Sequence, residues 1–474
     1  MLSSLAGAVV FNSLLGGVLA HPTVDHDSLL RRYTPDEVIR RDVAIIGGGS
    51  SGTYSAIRLK DSGKNVVVVE AKDVLGGHTE TYFDEATGRY HDYGVVALAN
   101  DSIVNPYLER LGIPMIPVPT GGPSLKTVYF DFEQQQLLSN YTPDIDAEAL
   151  LRWSEAVAQY PFLEEGGLEN VPVPVPEDLL LPLDEFLEKN GIGDPEFLHH
   201  DYNQGVGDPL RQTTLYAAKL MNARTFEWIT NGWLTHANGN NHDIYDKALE
   251  VLGDDALLGT RVISMDRSGD LVRVLVQTPS GIKLIEAEKL LVTIPLFPYN
   301  LEGFDLSPDE SQLFSQFNAT GYYTAILRNT GLSNDIRVNN IGSKNPYQLR
   351  KFPGAYAYRP AGIDGLFDVT LGSQGFLPDA YVKSIVVDDL KSLQEAGVIS
   401  KDVDVEKTEF VRYAAHNPFT PTVSAENIRN GFYKKLFSLQ GQRHTYYTGG
   451  SWSIQDSSGL WRFTEEKVLP LVLE

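Results

Sequence analysis

Three glycines, Gly47, Gly49 and Gly52, stand in G-x-G-x-x-G spacing within DVAIIGGGSSGTYSAIRLKDSGKNVVVVE, and a carboxylate, Glu70, closes the segment. That pattern suits a pyrophosphate. Gly47 permits a sharp turn, Gly49 lets backbone approach the phosphates, and Gly52 lets the following helix pack closely on the strand before it. Ser51 opens that helix, whose N-terminal N–H groups face the anion. Glu70 is placed to accept hydrogen bonds from a ribose and to repel a 2′-phosphate, so an unphosphorylated adenosine is expected. Glycine-rich turns also arise by chance, and the flanking elements decide between the two readings. Val43 to Ile46 is an apolar run fit for a strand, a helix is expected from about Ser51 to Ser62, and a second apolar run ends at Glu70. Strand, turn, helix, strand and terminal acid together predict a dinucleotide-binding unit.

Beyond Glu70 the chain continues KDVLGGHTETYFDEATGRYHDYGVVALAN. The combination IIGGGSSGTYSAIRL, LGGHTETY and HDYGV resembles the flavin-containing amine oxidase superfamily and, within it, the fungal β-cyclopiazonate dehydrogenase family of secondary-metabolite flavoenzymes. The resemblance implies an α/β fold: a Rossmann-type FAD-binding domain of the glutathione-reductase and amine-oxidase kind, interleaved with an α+β substrate domain. It implies FAD as cofactor, with the paired glycines Gly76 and Gly77 following the ribose acid and the turn Asp92-Tyr93-Gly94 beside the flavin ring. Val262 would present its backbone to the adenine. Gly449, Gly450 and Ser451 would lie by the ribityl chain and pyrimidine ring, where a helix N-terminus stabilises negative charge. His78 stands where many relatives have arginine. Contact with the flavin, a covalent bond to it, and a local hydrogen-bonding role are the readings open to that histidine.

The elements that position these residues are discontinuous in the chain. FAD-binding parts are expected at 41–125, 235–300 and 440–474, with substrate-domain parts at 126–234 and 301–439, after a leader at 1–20 and a linker at 21–40. ALLGTRVISMDRSGDLVRVLVQTPSGIKLIEAEKLLVTIPL alternates apolar and polar residues between turn signals, which predicts a small antiparallel meander followed by a strand returning to the flavin domain. In the substrate pieces, Asp146 to Tyr160 and Leu183 to Asn190 have helical spacing, Val171 to Pro176 reads as an extended strut, and the stretches Gly321 to Leu327 and Gly354 to Tyr358 read as strands lining a pocket.

The catalytic group is harder to read, because a flavin carries its own chemistry and the protein need only position a C–H bond and manage one proton. Many amine oxidases have a lysine on the substrate-domain strand; Tyr322 to Leu327 carries Tyr323 and Thr324 where it would be sought, which puts a simple amine oxidase in doubt. Tyr322, Tyr323, Tyr356, Tyr358 and Trp452 suit either an apolar substrate wall with phenolic donors or ordinary core packing. His199 and His200 are adjacent and their side chains diverge, so no metal is expected. His236 and His242 flank a turn, with helix capping by Asn240 or Asn241 the plain alternative. The expected activity is FAD-dependent dehydrogenation, with or without oxidative ring closure, of a hydrophobic natural product such as a diterpenoid pyrone or indole alkaloid. Dioxygen or another acceptor would take the electrons. The rivals are an amine or amino-acid oxidase releasing peroxide, for which Arg359 would bind a carboxylate, and a flavin-dependent double-bond isomerase.

Composition narrows the classes. Lys plus Arg of 39 against Asp plus Glu of 62 gives a net charge of −23, a surface that repels nucleic acid and anionic membrane. With 474 residues, 42% of them apolar, the chain buries a large core without disulfides. It has no cysteine, which excludes a disulfide, a thiolate metal site and a cysteinyl flavin link; FAD is expected to be held without a covalent bond. The start MLSSLAGAVVFNSLLGGVLAHP reads as a signal peptide cleaved after Ala20, although no basic residue precedes its apolar run. The sequons at Asn100, Asn140 and Asn318 fit a secreted or luminal glycoprotein, and no stable membrane insertion is expected.

Overall fold

The computed structural model describes residues 38–119, 125–163, 167–199 and 204–474. The expected leader and nearly all of the expected linker lie outside the described residues.

Two seven-stranded sheets organise the chain. In the first, Val38–Ile46 runs parallel to Val66–Val69 on one side and to Gly281–Val292 on the other. Ala256–Leu257 adds to the Val66–Val69 edge and Thr445–Tyr447 pairs with Leu290 to Val292, both parallel. Val66 to Val69 are buried on both faces, as befits a central parallel strand covered by helices. The meander is Arg261–Asp266, Val272–Thr278 and Gly281–Val292, all antiparallel. Its third strand and the returning strand prove to be one element of 12 residues. The helix Ser50–Asp61 packs beneath this sheet, next to the closing helix Ser457–Phe463.

The second sheet has the order Glu409–His416, Gly321–Arg328, Leu366–Ser373, Gly354–Pro360, Ile336–Asn340, Lys126–Asp131 and Gln136–Leu137. One face packs on the helix Asp379–Glu395 through Val382, Val386, Leu390 and Leu393; the other turns toward the first sheet. A small third sheet joins Leu98–Ala99, Trp233–His236 and Met115–Pro117. The helices Ala149–Val157, Leu183–Lys189 and Thr214–Leu220 form an apolar layer that joins the core of the first sheet.

A buried ionic cluster ties the first sheet to the helix Pro308–Phe314. The Arg267 side chain, 1% exposed, donates to Glu310 Oε1 at 2.7 Å and to Asp305 Oδ1 at 2.7 Å. The Tyr447 hydroxyl also donates to Glu310.

Candidate functional site

Three glycine turns converge at the C-terminal ends of the parallel strands, where open α/β sheets bind their ligands. Gly47 has φ +107°, and a Cβ on Gly52 would lie 1.9 Å from the Gly47 carbonyl oxygen, so the helix sits on the turn at a distance only glycine allows. Gly76 N–H donates to the Gly48 carbonyl at 2.9 Å, which brings the paired-glycine turn against the first. Thr293 Oγ1 donates to Gly47 O at 3.1 Å, and a Cβ on Gly449 would lie 2.9 Å from the Thr293 carbonyl, so the third turn meets the same point.

These turns fit the pyrophosphate and flavin of FAD. The helix Ser50–Asp61 has no side-chain cap and no acid in its first turn, leaving an electropositive end. A Cβ on Gly49 would meet nothing nearer than Gly77 Cα at 3.6 Å, so the glycine is not required by the protein's own packing. Glu70 is oriented by the N–H groups of Gly48 at 2.6 Å and Lys72 at 2.7 Å, and a carboxylate has further lone pairs for ribose hydroxyls. Around the third turn, Ser451 Oγ, Ser453 Oγ and Trp452 Nε1 are buried without a partner among the described residues, which is unusual unless a polar ligand meets such groups. Ser51 lies in the first helical turn, and half-buried Val262 follows Thr260, whose N–H donates to the Glu70 carbonyl at 2.8 Å.

The turn at Asp92 works differently from its sequence reading. Asp92 is 8% exposed and accepts from Thr81 Oγ1 and from Asn241 N–H at 3.0 Å; burial pushes its carboxyl up to about 7. Tyr93 packs with Ile326, Ile363 and Leu366 of the second sheet. Asp92 is consumed in bonding Thr81 and Asn241 and Tyr93 in packing on the second sheet, and the turn offers a flavin ring only backbone and Gly94, where a Cβ would lie 2.2 Å from the His78 carbonyl. Asn241 is not a helix cap: its side chain donates to Val95 O and accepts from His236 N–H. The helix after the third turn begins at Ser457 and is capped by Asp456, whose side chain accepts from Gly459 N–H at 2.9 Å, so its positive end already has a carboxyl.

His78 bridges the two sheets. Its ring lies 4.6 Å from that of His416, the last residue of Glu409–His416, and 5.8 Å from Phe419. Tyr322 stacks on His416 at 5.9 Å and on Phe419 at 4.8 Å, with Tyr356 at 6.3 Å. Thr324 Oγ1 meets His416 Nε2 at 3.2 Å. Desolvation, then the Lys72 charge, pushes His78 down to about 4; desolvation and His78 itself hold His416 well below 6.5. Both imidazoles are neutral at pH 7 and able to accept a proton.

Of the expected aromatic wall, Tyr356 lies edge-on to Tyr322, its hydroxyl accepting from Gly205 N–H at 2.9 Å. Tyr323 and Tyr358, each fully buried, lie on the opposite face: Tyr323 hydroxyl accepts from Leu377 N–H and Tyr358 donates to Asp389 in the covering helix. The reason is a bulge between Ala355 and Ala357, which breaks the alternation that would have put Tyr356 and Tyr358 on one face. Trp452 is a core residue stacked 5.1 Å from Tyr447, not a wall.

Among the other histidines, His199 pairs with Asp194 at 2.8 Å and His242 with Asp246 at 3.3 Å; His200 lies outside the described residues. No cluster able to hold a metal exists among the described residues. Arg359 lines a second cavity with Arg337, Arg350, Gln204 and Tyr356, on the same side of the sheet as Tyr322. Sequence reading passed over two members of the site. His416 ends a strand and Phe419 stands in the loop after it, and neither carries a motif.

Residues 51–331 match the family model described as flavin containing amine oxidoreductase. The chain belongs to that family and is an FAD-dependent oxidoreductase. Among its relatives, the FAD-dependent oxidoreductase oblC of Cochliobolus heterostrophus is 36% identical over 455 residues, covering 94% of this chain and 93% of that one. The β-cyclopiazonate dehydrogenase of Aspergillus flavus is 36% identical over 450 residues, covering 94% and 96%. Among solved structures, the conjugated-linoleic-acid-producing fatty acid isomerase of P. acnes superposes with a TM-score of 0.71 at 20% identity, covering 90% of this chain and 97% of that one. Putrescine oxidase bound to putrescine gives 0.63 at 15%, covering 92% and 100%.

Proposed function

We propose that the chain dehydrogenates a hydrophobic intermediate of fungal secondary metabolism, with ring closure following where the substrate carries an internal nucleophile. The observation that carries this reading is the neutral pair His78 and His416 set in an aromatic wall of Tyr322, Tyr356 and Phe419, at the seam between the glycine turns and the second sheet. The full-length likeness to secondary-metabolite flavoenzymes supports it.

In this reading Gly47, Gly49, Ser51, Gly52, Glu70, Gly76, Gly77 and Val262 hold the dinucleotide half of FAD, and His78, Gly94, Gly449, Gly450 and Ser451 border its ring. Asp92 and Tyr93 fix the turn from behind. When bound, FAD accepts the hydride of a substrate C–H bond and passes two electrons to dioxygen or another acceptor. Tyr322, Phe419 and Tyr356 orient the apolar substrate and exclude water. His416, held by Thr324, takes the proton that leaves with the hydride. A wall without a carboxylate gives no counter-ion to an ammonium substrate, which sets this reading above a simple amine oxidase.

Anaerobic mixing of the holoenzyme with terpenoid, alkaloid and amine candidates tests it. Bleaching of the flavin band near about 450 nm by a terpenoid or alkaloid is expected. Bleaching by simple amines alone would establish the oxidase instead, and conversion without bleaching the isomerase.

We also propose entry into the secretory pathway with cleavage after Ala20 and glycans on Asn140 and Asn318, both exposed; Asn100 is half-buried and bonded to Asn105. N-terminal sequencing and endoglycosidase digestion of protein from a fungal host test this, and an intact Met1 with no mass shift would refute it.

A further inference from the structure

A buried cation lies in the layer behind the aromatic wall, and the proposed reaction leaves it without a task. Lys219, on the helix Thr214–Leu220, is 3% exposed. Its ammonium donates to the Ser453 carbonyl at 2.8 Å and stands 5.5 Å from the centroid of the Tyr216 ring. Among the described residues no carboxylate pairs with it, and an ammonium carries three donors. Enclosing a charge without a counter-ion is costly unless a ligand meets it. Burial pushes this amine down to about 8, which still leaves it mostly protonated at neutral pH.

The space around it is specific in shape. Lys219 borders a narrow cavity walled by Leu183, Val206, Tyr216, Leu220, Thr420 and Gln455, with room for about one water-sized group. Lys219 is the one cation among its described lining residues. At one end Gln455 packs on Gly450 of the third glycine turn. At the other, Thr420 Oγ1 donates to Gly205 O at 3.2 Å, and Gly205 also holds the Tyr356 hydroxyl and touches the Phe419 ring. Lys219 therefore lies between the turn assigned to the flavin and the aromatic wall, beside a slot with room for a single oxygen atom of a ligand and not for its body.

We propose that Lys219 selects the substrate by its head group: the ammonium pairs with a carboxylate or enolate oxygen at one end of a ligand whose apolar body lies along Tyr322, Tyr356 and Phe419. A neutral ligand of the same shape leaves the buried charge unpaired and binds more weakly. This assignment rests on the proposed substrate cavity, but binding alone is enough to test it.

The holoenzyme is titrated with decanoate and decanamide, and with dehydroacetate, a stable enolate, and its methyl ether, following perturbation of the flavin absorbance. At least one anion is expected to bind about tenfold or more tightly than its neutral partner. Whichever pair shows the preference identifies the head group as carboxylate or enolate. Lys219→Met is expected to abolish the preference and Lys219→Arg to retain most of it, with FAD content unchanged in both. Equal binding of anion and neutral partner in the wild-type protein overturns the proposal, whether or not the methionine variant folds, and so does a preference that survives Lys219→Met. An anion preference in a protein that no terpenoid or alkaloid reduces would leave the head-group assignment standing and remove the proposed reaction. Reduction without any anion preference would do the reverse.

Discussion

Gly49 and Gly52 are three residues apart in one motif, yet the structure assigns their lack of a side chain to different causes, and alanine separates them. At Gly52 a Cβ would stand 1.9 Å from the Gly47 carbonyl oxygen and 2.8 Å from Thr293 Oγ1, where ordinary contact begins at 3.4 Å. The first gap is about 1.5 Å short of contact, and the obstacle is backbone of the turn that ends a central strand, held by Gly47 N–H donating to the Val69 carbonyl, which does not rotate away. The helix must move off the sheet, so the cost belongs at the top of the overpacking range, about 3 kcal/mol, in the protein without any cofactor. At Gly49 the nearest atom is Gly77 Cα at 3.6 Å and φ is −75°, so the polypeptide accepts alanine with a change within about 1 kcal/mol. What the methyl obstructs is the approach of pyrophosphate to backbone N–H. Losing one charge-assisted hydrogen bond weakens FAD binding about tenfold to a hundredfold. The assay is thermal unfolding of FAD-stripped wild type, Gly49→Ala and Gly52→Ala, followed by FAD titration monitored by flavin fluorescence. Stripped Gly52→Ala is expected to melt several degrees below the other two, and Gly49→Ala to melt with wild type but bind FAD weakly. Wild-type FAD affinity in Gly49→Ala, or a wild-type melting point in stripped Gly52→Ala, refutes the division.

Three further outcomes follow from the same geometry. His416→Gln is expected to slow flavin reduction by a dehydrogenation substrate about a hundredfold or more while leaving FAD content unchanged; an unaltered rate removes His416 from proton transfer. Arg267→Met removes the nearer cation from buried Glu310, leaving it Arg443 at 3.5 Å, and is expected to cost about 3 kcal/mol, read as a lowered melting temperature, with unchanged melting as the refuting result. Buried His78 has its own signature in acid. It is lowered from 6.5 to about 4 by burial, so as pH falls the unfolded chain takes this proton first, and the stability His78 contributes above pH 6.5 is lost between 6.5 and about 4, by up to about 3 kcal/mol. Asp92, raised to about 7 by burial, acts in the opposite sense over the same range, so the His78 contribution is read as a difference between proteins. Denaturant titrations at pH 7 and 5 of wild type and His78→Phe check it: the variant is expected to show a shift more favourable to the fold at pH 5, and identical shifts would refute it.

The cofactor half of this protein was written into the sequence because its logic is local. Gly47 to Glu70 form one strand, turn, helix and strand, and each glycine answers a constraint set within a few residues or by the next strand over. The long alternation from Arg261 to Val292 likewise announced a meander, since cross-strand pairing along one short hairpin depends only on neighbouring residues. The substrate half has no such locality. His78, Tyr322, Tyr356, His416 and Phe419 meet only when two sheets close on each other, and no spacing in the chain encodes a contact between residues hundreds of positions apart. A single bulge at Tyr356 left that residue on the wall and Tyr358 in the helix-covered core, a separation that period-two reading has no means to register, whereas Tyr323 faces the core by plain alternation with Tyr322. Lys219 shows the same division: in sequence it is one charge on an apolar helix, and only the packing of that helix against the Ser453 turn decides that the charge is buried without a carboxylate. Sequence alone determined the glycine turns, because hydrogen-bonded turns are short-range; the tertiary structure decided what faces them, because burial and electrostatics are properties of the assembled surface.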